Sequence, residues 1–157
     1  MNDILSLILE NTYTLPDLKH RMRILKEYLE AQIFGNKDLA FDPEDSKWLT
    51  NLPTDLLSQF NKDNLPSALE NLEQQINKLS PLTLYLSFEP DKNTIAAIYF
   101  WLRQNLSQKS ILEIKFDPSL IGGSALVKDG VYKDYSLRAH IEEQKEIILT
   151  EFKKYIT

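Results

Sequence analysis

The 157-residue chain reads as an α+β protein: an all-helical bundle over residues 1–80, then a small α/β module over 81–157 with a short sheet and flanking helices. Three observations predict this. Through the first half, apolar residues recur every three or four positions, the period of a helix. From Leu82 they alternate with polar residues, the period of a strand with one buried face. Finally, two of the four glycines stand side by side at Gly122-Gly123 and a third, Gly130, follows in the next turn, so sharp bends concentrate in the second half.

Composition bounds the rest. A hydrophobic content of 43% suffices for a core in a chain of this length. The sequence has no cysteine, which excludes disulfides, thiolate metal sites and thiol nucleophiles. No apolar run reaches the roughly 18 residues needed to span a bilayer. Met1-Asn2-Asp3 lacks the basic start of a secretory signal, so the expectation is a chain without direct membrane insertion. Residues 1–80 carry 8 Lys+Arg against 13 Asp+Glu, and residues 81–157 carry 10 against 10. An acidic front half disfavours nucleic acid and anionic lipid, whose binding depends on clustered cations, and points to a protein partner or simply to solubility.

In chain order, Ile4, Leu5, Ile8 and Leu9 form a short apolar face ending near Asn11-Thr12. Thr14 and Pro16 mark a second helix start, with Asp17 favourable to the helix dipole. Leu18, Met22, Leu25, Leu29 and Ile33 then make one stripe down a helix that stops at Gly35. Lys19, His20, Arg21, Arg23 and Lys26 are read as its solvated flank. Asp42-Pro43-Glu44-Asp45 resembles a capped helix start leading through Trp48, Leu49 and Leu52 to Pro53. Its carboxylates do not make a calcium loop, because Lys47 and Pro53 occupy the positions that need glycine and the bidentate glutamate. Leu56, Leu57 and Phe60 suggest a short helix. Leu65, Leu69, Leu72, Ile76 and Leu79 repeat as two heptads between Pro66 and Pro81, expected to pack against the Leu18-to-Ile33 stripe.

Leu82, Leu84, Leu86 and Phe88 alternate with Thr83, Tyr85 and Ser87 as a strand. After Glu89-Pro90-Asp91, a helix carries Ile95, Ile98, Tyr99, Leu102 and Leu106 on one side. Leu112, Ile114 and Phe116 alternate with Glu113 and Lys115 as a second strand. Asp117-Pro118 stops it, since proline has no donor for the ladder. Gly122 and Gly123 supply backbone angles that residues with a Cβ avoid, so the chain bends there and begins a third strand. Asp129-Gly130 between Ala125–Lys128 and Val131–Asp134 signals a two-residue hairpin turn. Ser136 is the N-cap of one last helix bearing Leu137, Ile141, Ile148 and Phe152 on a broad side, with Lys153 and Lys154 suited to its C-terminal dipole.

Chemistry-bearing constellations are sparse. His20 and His140 are far apart in sequence, no serine occupies a nucleophile elbow, and no Gly-Lys-Ser/Thr phosphate loop is present. A Gly-Gly pair followed by a strand rather than a helix is read as a bend, not as an anion cradle. Asp117 and Asp134 could in principle be paired carboxylates, but turn and cap roles explain each more simply. The residues therefore point away from an enzyme, with no cofactor and no small-molecule substrate expected.

The run from Ile114 to Lys128, followed by Asp134-Tyr135-Ser136-Leu137-Arg138, resembles the C-terminal signature of the delta subunit of bacterial F-type ATP synthases, whose mitochondrial relative is the oligomycin sensitivity-conferring protein. The matching residues are Asp117, Pro118 and Leu120 before Gly122-Gly123, then Leu126, Val127 and Lys128, the hairpin Gly130, and the Asp134, Ser136 step into the last helix. The resemblance covers the chain from Pro81 on. It implies a non-catalytic stator subunit at the cytoplasmic face of the plasma membrane. Its helical domain would cap the catalytic head through the alpha subunits, and its C-terminal domain would hold the end of the peripheral-stalk b subunit. It further implies an exposed apolar groove on the front module and an accessible stripe on the last helix, with Ile147 and Tyr155 as partner contacts. The front half is shorter than that family's six-helix domain and lacks its alanine-rich opening helix. An unrelated small protein-binding adaptor remains the alternative.

Overall fold

The computed structural model describes residues 2–35, 39–105 and 111–156. Among them are eight helices and a four-stranded mixed sheet, so the protein is α+β. Two compact units divide the chain. The first comprises residues 1–80 with 107–111, the second 81–106 with 112–157.

In the first unit, α1 (Asn2–Glu10), α2 (Leu15–Phe34), α3 (Pro43–Thr50), α4 (Thr54–Leu57) and α5 (Leu65–Asn77) surround one apolar core. The longest helix, α2, has both ends written into its sequence. The Thr14 hydroxyl accepts from the Asp17 amide at 3.3 Å and donates to the Asp17 carboxylate at 2.6 Å, satisfying an amide that the first turn leaves unpaired. At the other end Gly35 takes φ 82°, and its amide donates to the Ala31 carbonyl at 2.8 Å. Leu18, Met22, Leu25 and Leu29 are buried as the stripe requires, whereas Ile33 near the helix end is only partly so. Ile24 is buried as well, although it lies off the stripe. The reason is tertiary: α2 packs against α1, α3 and α5, so its apolar side must be wider than one partner would need. Each such side chain contributes about 1.5–3 kcal/mol by leaving water. From α5, Leu65, Leu69, Leu72 and Ile76 enter the same core, and Ile111 joins it.

Two expectations are corrected here. Asp42 starts α3 without a side-chain cap bond. The neighbouring carboxylate of Asp45 instead accepts from His20 on α2 at 3.0 Å, tying the two helices together. Nor is Arg21 a solvated flank residue. Its guanidinium lies 5.1 Å from the Trp48 ring centroid, and the half-buried stem packs between α2 and α3.

The second unit is built on β1 (Leu82–Leu86), α6 (Lys92–Asn105), β2 (Leu112–Phe116), β3 (Ser124–Lys128), β4 (Val131–Asp134), α7 (Leu137–Glu143) and α8 (Lys145–Ile156). Strand order is β2-β1-β3-β4. The parallel pair β1/β2, with Leu82 opposite Leu112, needs a crossover, and α6 supplies it. The β3 strand runs antiparallel to both β1 and β4. As an inner strand β1 alternates buried and half-buried positions along its length.

The sheet is narrower in burial than the alternation suggested. Phe88 lies beyond the end of β1 and is 50% exposed; Phe116, at the end of the edge strand β2, is 54% exposed. An edge strand has a neighbour on one side only, so its outermost residue lacks the cover that alternation alone implies. On α6, Tyr99 and Leu102 are buried and Ile95 and Ile98 half-buried, while Leu106 lies outside the described residues. The single last helix is also corrected. It is interrupted at Gln144 (φ −99°, ψ 6°), and none of Leu137, Ile141 and Phe152 is buried.

Candidate functional site

The signature residues come together around one bend. After β2, Asp117 folds back on its own turn: its carboxylate accepts from the Ser119 amide at 2.9 Å and the Ser119 hydroxyl at 2.6 Å, with Pro118 between them. Leu120 is buried and anchors the loop. Gly122 and Gly123 then adopt φ 67° and 77°, in the left-handed region. Gly123 meets a second constraint that spacing could not reveal. A Cβ there would stand 2.5 Å from the Tyr135 carbonyl oxygen and 3.0 Å from the Ser136 Cα. At the neighbouring position the Gly122 carbonyl accepts from the Leu137 amide at 3.3 Å.

The far side of this contact is equally local in its chemistry. Asp129 (φ 50°) and Gly130 (φ 79°) are both left-handed, as a two-residue turn with the hand of a twisted hairpin requires, and Lys128 pairs with Val131 across it. Asp134 accepts from the Ser136 amide at 2.8 Å; Ser136, 2% exposed, accepts in turn from the Ala139 amide at 3.3 Å and caps α7. Thus the carboxylates of Asp117 and Asp134 each hold a turn. Side-chain and then backbone hydrogen bonds from Ser119 and Ser136 keep them below the usual carboxylate value, as Thr94 does for Asp91.

Beside the bend, an open groove of about 970 Å³ runs between α6 and the β3–β4 hairpin. Leu84, Leu126 and Lys133 stand in register across β1, β3 and β4 to form its floor, and Ala97, Ile98 and Trp101 of α6 make one wall. Trp101, Val131 and Tyr135 are more than half exposed. The ionisable residues of this lining are two lysines, one aspartate and one tyrosine, Lys128, Lys133, Asp129 and Tyr135, with no histidine among them. Neither Gly122 nor Gly123 lines the groove. Such a surface can bury apolar side chains.

This groove belongs to the second unit and is distinct from the one expected on the front module. In the first unit the hollow between α2 and α5 is about 380 Å³ and rimmed by Lys19, Arg23 and Lys26 with Glu73. Another of about 530 Å³ lies around Tyr28, Gly35 and Phe41. His20 spends both ring nitrogens on the surface, near Asp45 and Arg23, and His140 is a mostly exposed neighbour of Glu143. Burial holds Arg21 below its ordinary value against the opposing effect of Asp17, Tyr13 and Asp45. Among the described residues no three histidine or acidic side chains converge as metal ligands. Ile147 and Tyr155 are 65% and 86% exposed. The groove itself was missed at the sequence level; the one available signal was Trp101, an aromatic residue off the buried Tyr99–Leu102 side of its helix. In comparisons with known proteins, no family model matches the chain and no curated protein matches it in sequence.

Two predictions follow from the bend. Gly123→Ala combines an unfavourable φ, at about 1–2 kcal/mol, with overlap against backbone that cannot rotate away, so it should cost more than about 2 kcal/mol in all. Gly130→Ala, with open space around it, should cost only about 1–2 kcal/mol. Parallel urea titrations followed by circular dichroism check the ranking. Separately, the three turn carboxylates have folded pKa values below their ordinary 3.8. Their stabilisation is complete above the unfolded value and is lost as pH falls through the lower folded one. The melting temperature should hold above about pH 5 and fall below about pH 4, and Asp134→Asn, which keeps the acceptor but cannot ionise, should flatten that fall.

Proposed function

We propose that the chain is a non-catalytic stator subunit of an F-type proton-translocating ATP synthase, linking the catalytic head to the b-subunit stalk. The observation that carries this is the open apolar groove of the second unit. A static joint under torque needs a surface that holds a helix and does no chemistry, and an amphipathic helix laid in an apolar groove is such a joint. The carboxylates nearest the bend are engaged in turns, which leaves docking as the use of this face. The signature residues Asp117, Pro118, Leu120, Gly122, Gly123, Gly130, Asp134 and Ser136 act structurally in this reading, setting the sheet and the start of α7.

The finer organisation belongs to the same proposal. The first unit, residues 1–80, is a helical bundle domain that meets the alpha subunits. The α/β domain, 81–157, receives the end of the b subunit in the groove, with Ile147 and Tyr155 as further contacts. The chain sits at the cytoplasmic face of the plasma membrane as a peripheral subunit. That no helix among the described residues is long and apolar enough to cross a membrane is compatible with this. Nucleic acid and small molecules are not partners. A second reading, an adaptor unrelated to the synthase that uses the same groove, is favoured by the five helices among the described residues of the first unit against six in the resembling family.

Affinity purification of the tagged chain from its source cell should recover the alpha and b subunits. Trp101→Ala and Leu126→Glu should weaken capture of b by at least about tenfold, the effect of losing a central aromatic or apolar anchor, and leave alpha unaffected. Recovery of neither subunit would favour the adaptor.

A further inference from the structure

The groove is apolar on its α6 wall, and among the described residues of its lining every formal charge stands on the hairpin side. Lys133 lies level with Leu126, its partner across the ladder, and Lys128 stands two residues farther along β3. Both side chains therefore share the groove face of the sheet, about 7 Å apart along the strand direction. Among the described residues neither ammonium has a hydrogen bond or an ion pair, although Lys128 is half-buried. On the opposite face of the sheet Lys115 is paired with Glu113 at 3.3 Å. We infer that the groove takes an amphipathic helix of a partner protein, which lays its apolar stripe on Leu126 and Trp101 and carries carboxylates at i and i+4 on the flank facing the hairpin.

Charge and dimensions both support this occupant. A half-buried cation without a carboxylate gains most from an anion brought by whatever covers the face. Residues i and i+4 of a helix are about 6 Å apart along its axis, close to the separation of the two lysines. From Ser124 to Lys128 the floor runs about 13 Å, the length of about nine helical residues, so roughly two and a half turns lie over it. Asp129 stands in the turn beyond Lys128, and a carboxylate one helical turn farther on would be repelled there. The next position of the flank is therefore neutral or basic, which fixes where along the groove the acidic pair sits.

An acyl chain with a carboxylate head would also meet the lysines. The groove is open, however, with Trp101, Val131 and Tyr135 more than half exposed, and an acyl chain laid in it would keep one side in water. A helix turns its own polar side outward. The inference rests on the reading of the groove as a helix dock and is independent of which protein supplies the helix.

The test is calorimetric titration of the full chain with alanine-rich helical peptides of about 18 residues that share one leucine stripe. Their flank positions i and i+4 carry two glutamates, two glutamines or two lysines. At low ionic strength the glutamate peptide should bind at least about fivefold more tightly than the glutamine peptide, and the lysine peptide most weakly. In about 0.5 M salt the difference should shrink. Lys128→Glu combined with Lys133→Glu should reverse the order, a gain for the lysine peptide that an unfolded chain could not give. Equal affinity of the glutamate and glutamine peptides, an order unchanged by the charge reversal, or no binding of any peptide overturns the inference. Laurate that binds more tightly than the glutamate peptide, and is lost on charge reversal, overturns it as well, because the occupant is then an acyl chain. Recovery of the b subunit is read in the purification above: b recovered while the glutamate and glutamine peptides bind alike removes this inference alone, and an acidic preference without b removes the stator reading alone.

Discussion

The second unit depends on one backbone contact, the approach of Gly123 to the Tyr135 carbonyl. Strand β3 begins at this point and α7 begins two residues beyond it, so a single crossing of main chain sets both. No side chain could stand between the two segments at that distance. Glycine is required here twice over, by its φ and by its lack of a Cβ, whereas Gly130 is required by φ alone. Around the crossing, Asp117, Asp134 and Ser136 do local work, each satisfying amides that a turn or a helix start would otherwise leave unpaired.

The groove is a consequence of topology. A parallel strand pair must be joined by a crossover helix, and that helix covers the part of the sheet it crosses. A hairpin needs no such helix. In this sheet β1 and β2 are joined through α6, while β3 and β4 are joined by two residues, so the hairpin side of the face has no covering element of its own. Apolar residues on that side, Leu126 and Val131 among them, remain accessible between α6 and the hairpin. The described side chains of the last two helices are unburied as well, so the second unit presents more than one apolar face to water.

The first unit follows a different logic. Its stability centres on α2, which offers apolar residues to helices on more than one side and carries its own start and stop. The polar ties of its surface, His20 with Asp45 and Arg21 over Trp48, orient α3 against α2 with chemistry suited to holding position.

Sequence by itself determined whatever depends on neighbours a few residues away. The Thr14 and Ser136 caps, the Gly35 stop, the positive φ at Gly122, Gly123 and Gly130, the hairpin turn and the apolar periods are all short-range, set by hydrogen-bond reach and by the presence or absence of a Cβ. What only the tertiary structure decided involves residues far apart along the chain. The strand order, the uncovered face that forms the groove, the close approach at Gly123, the burial of Ile24 and the turning of Asp45 toward His20 all belong there. So do the exposure of Phe116 and the break at Gln144, because alternation and helical spacing state which residues share a face but not whether anything packs against it.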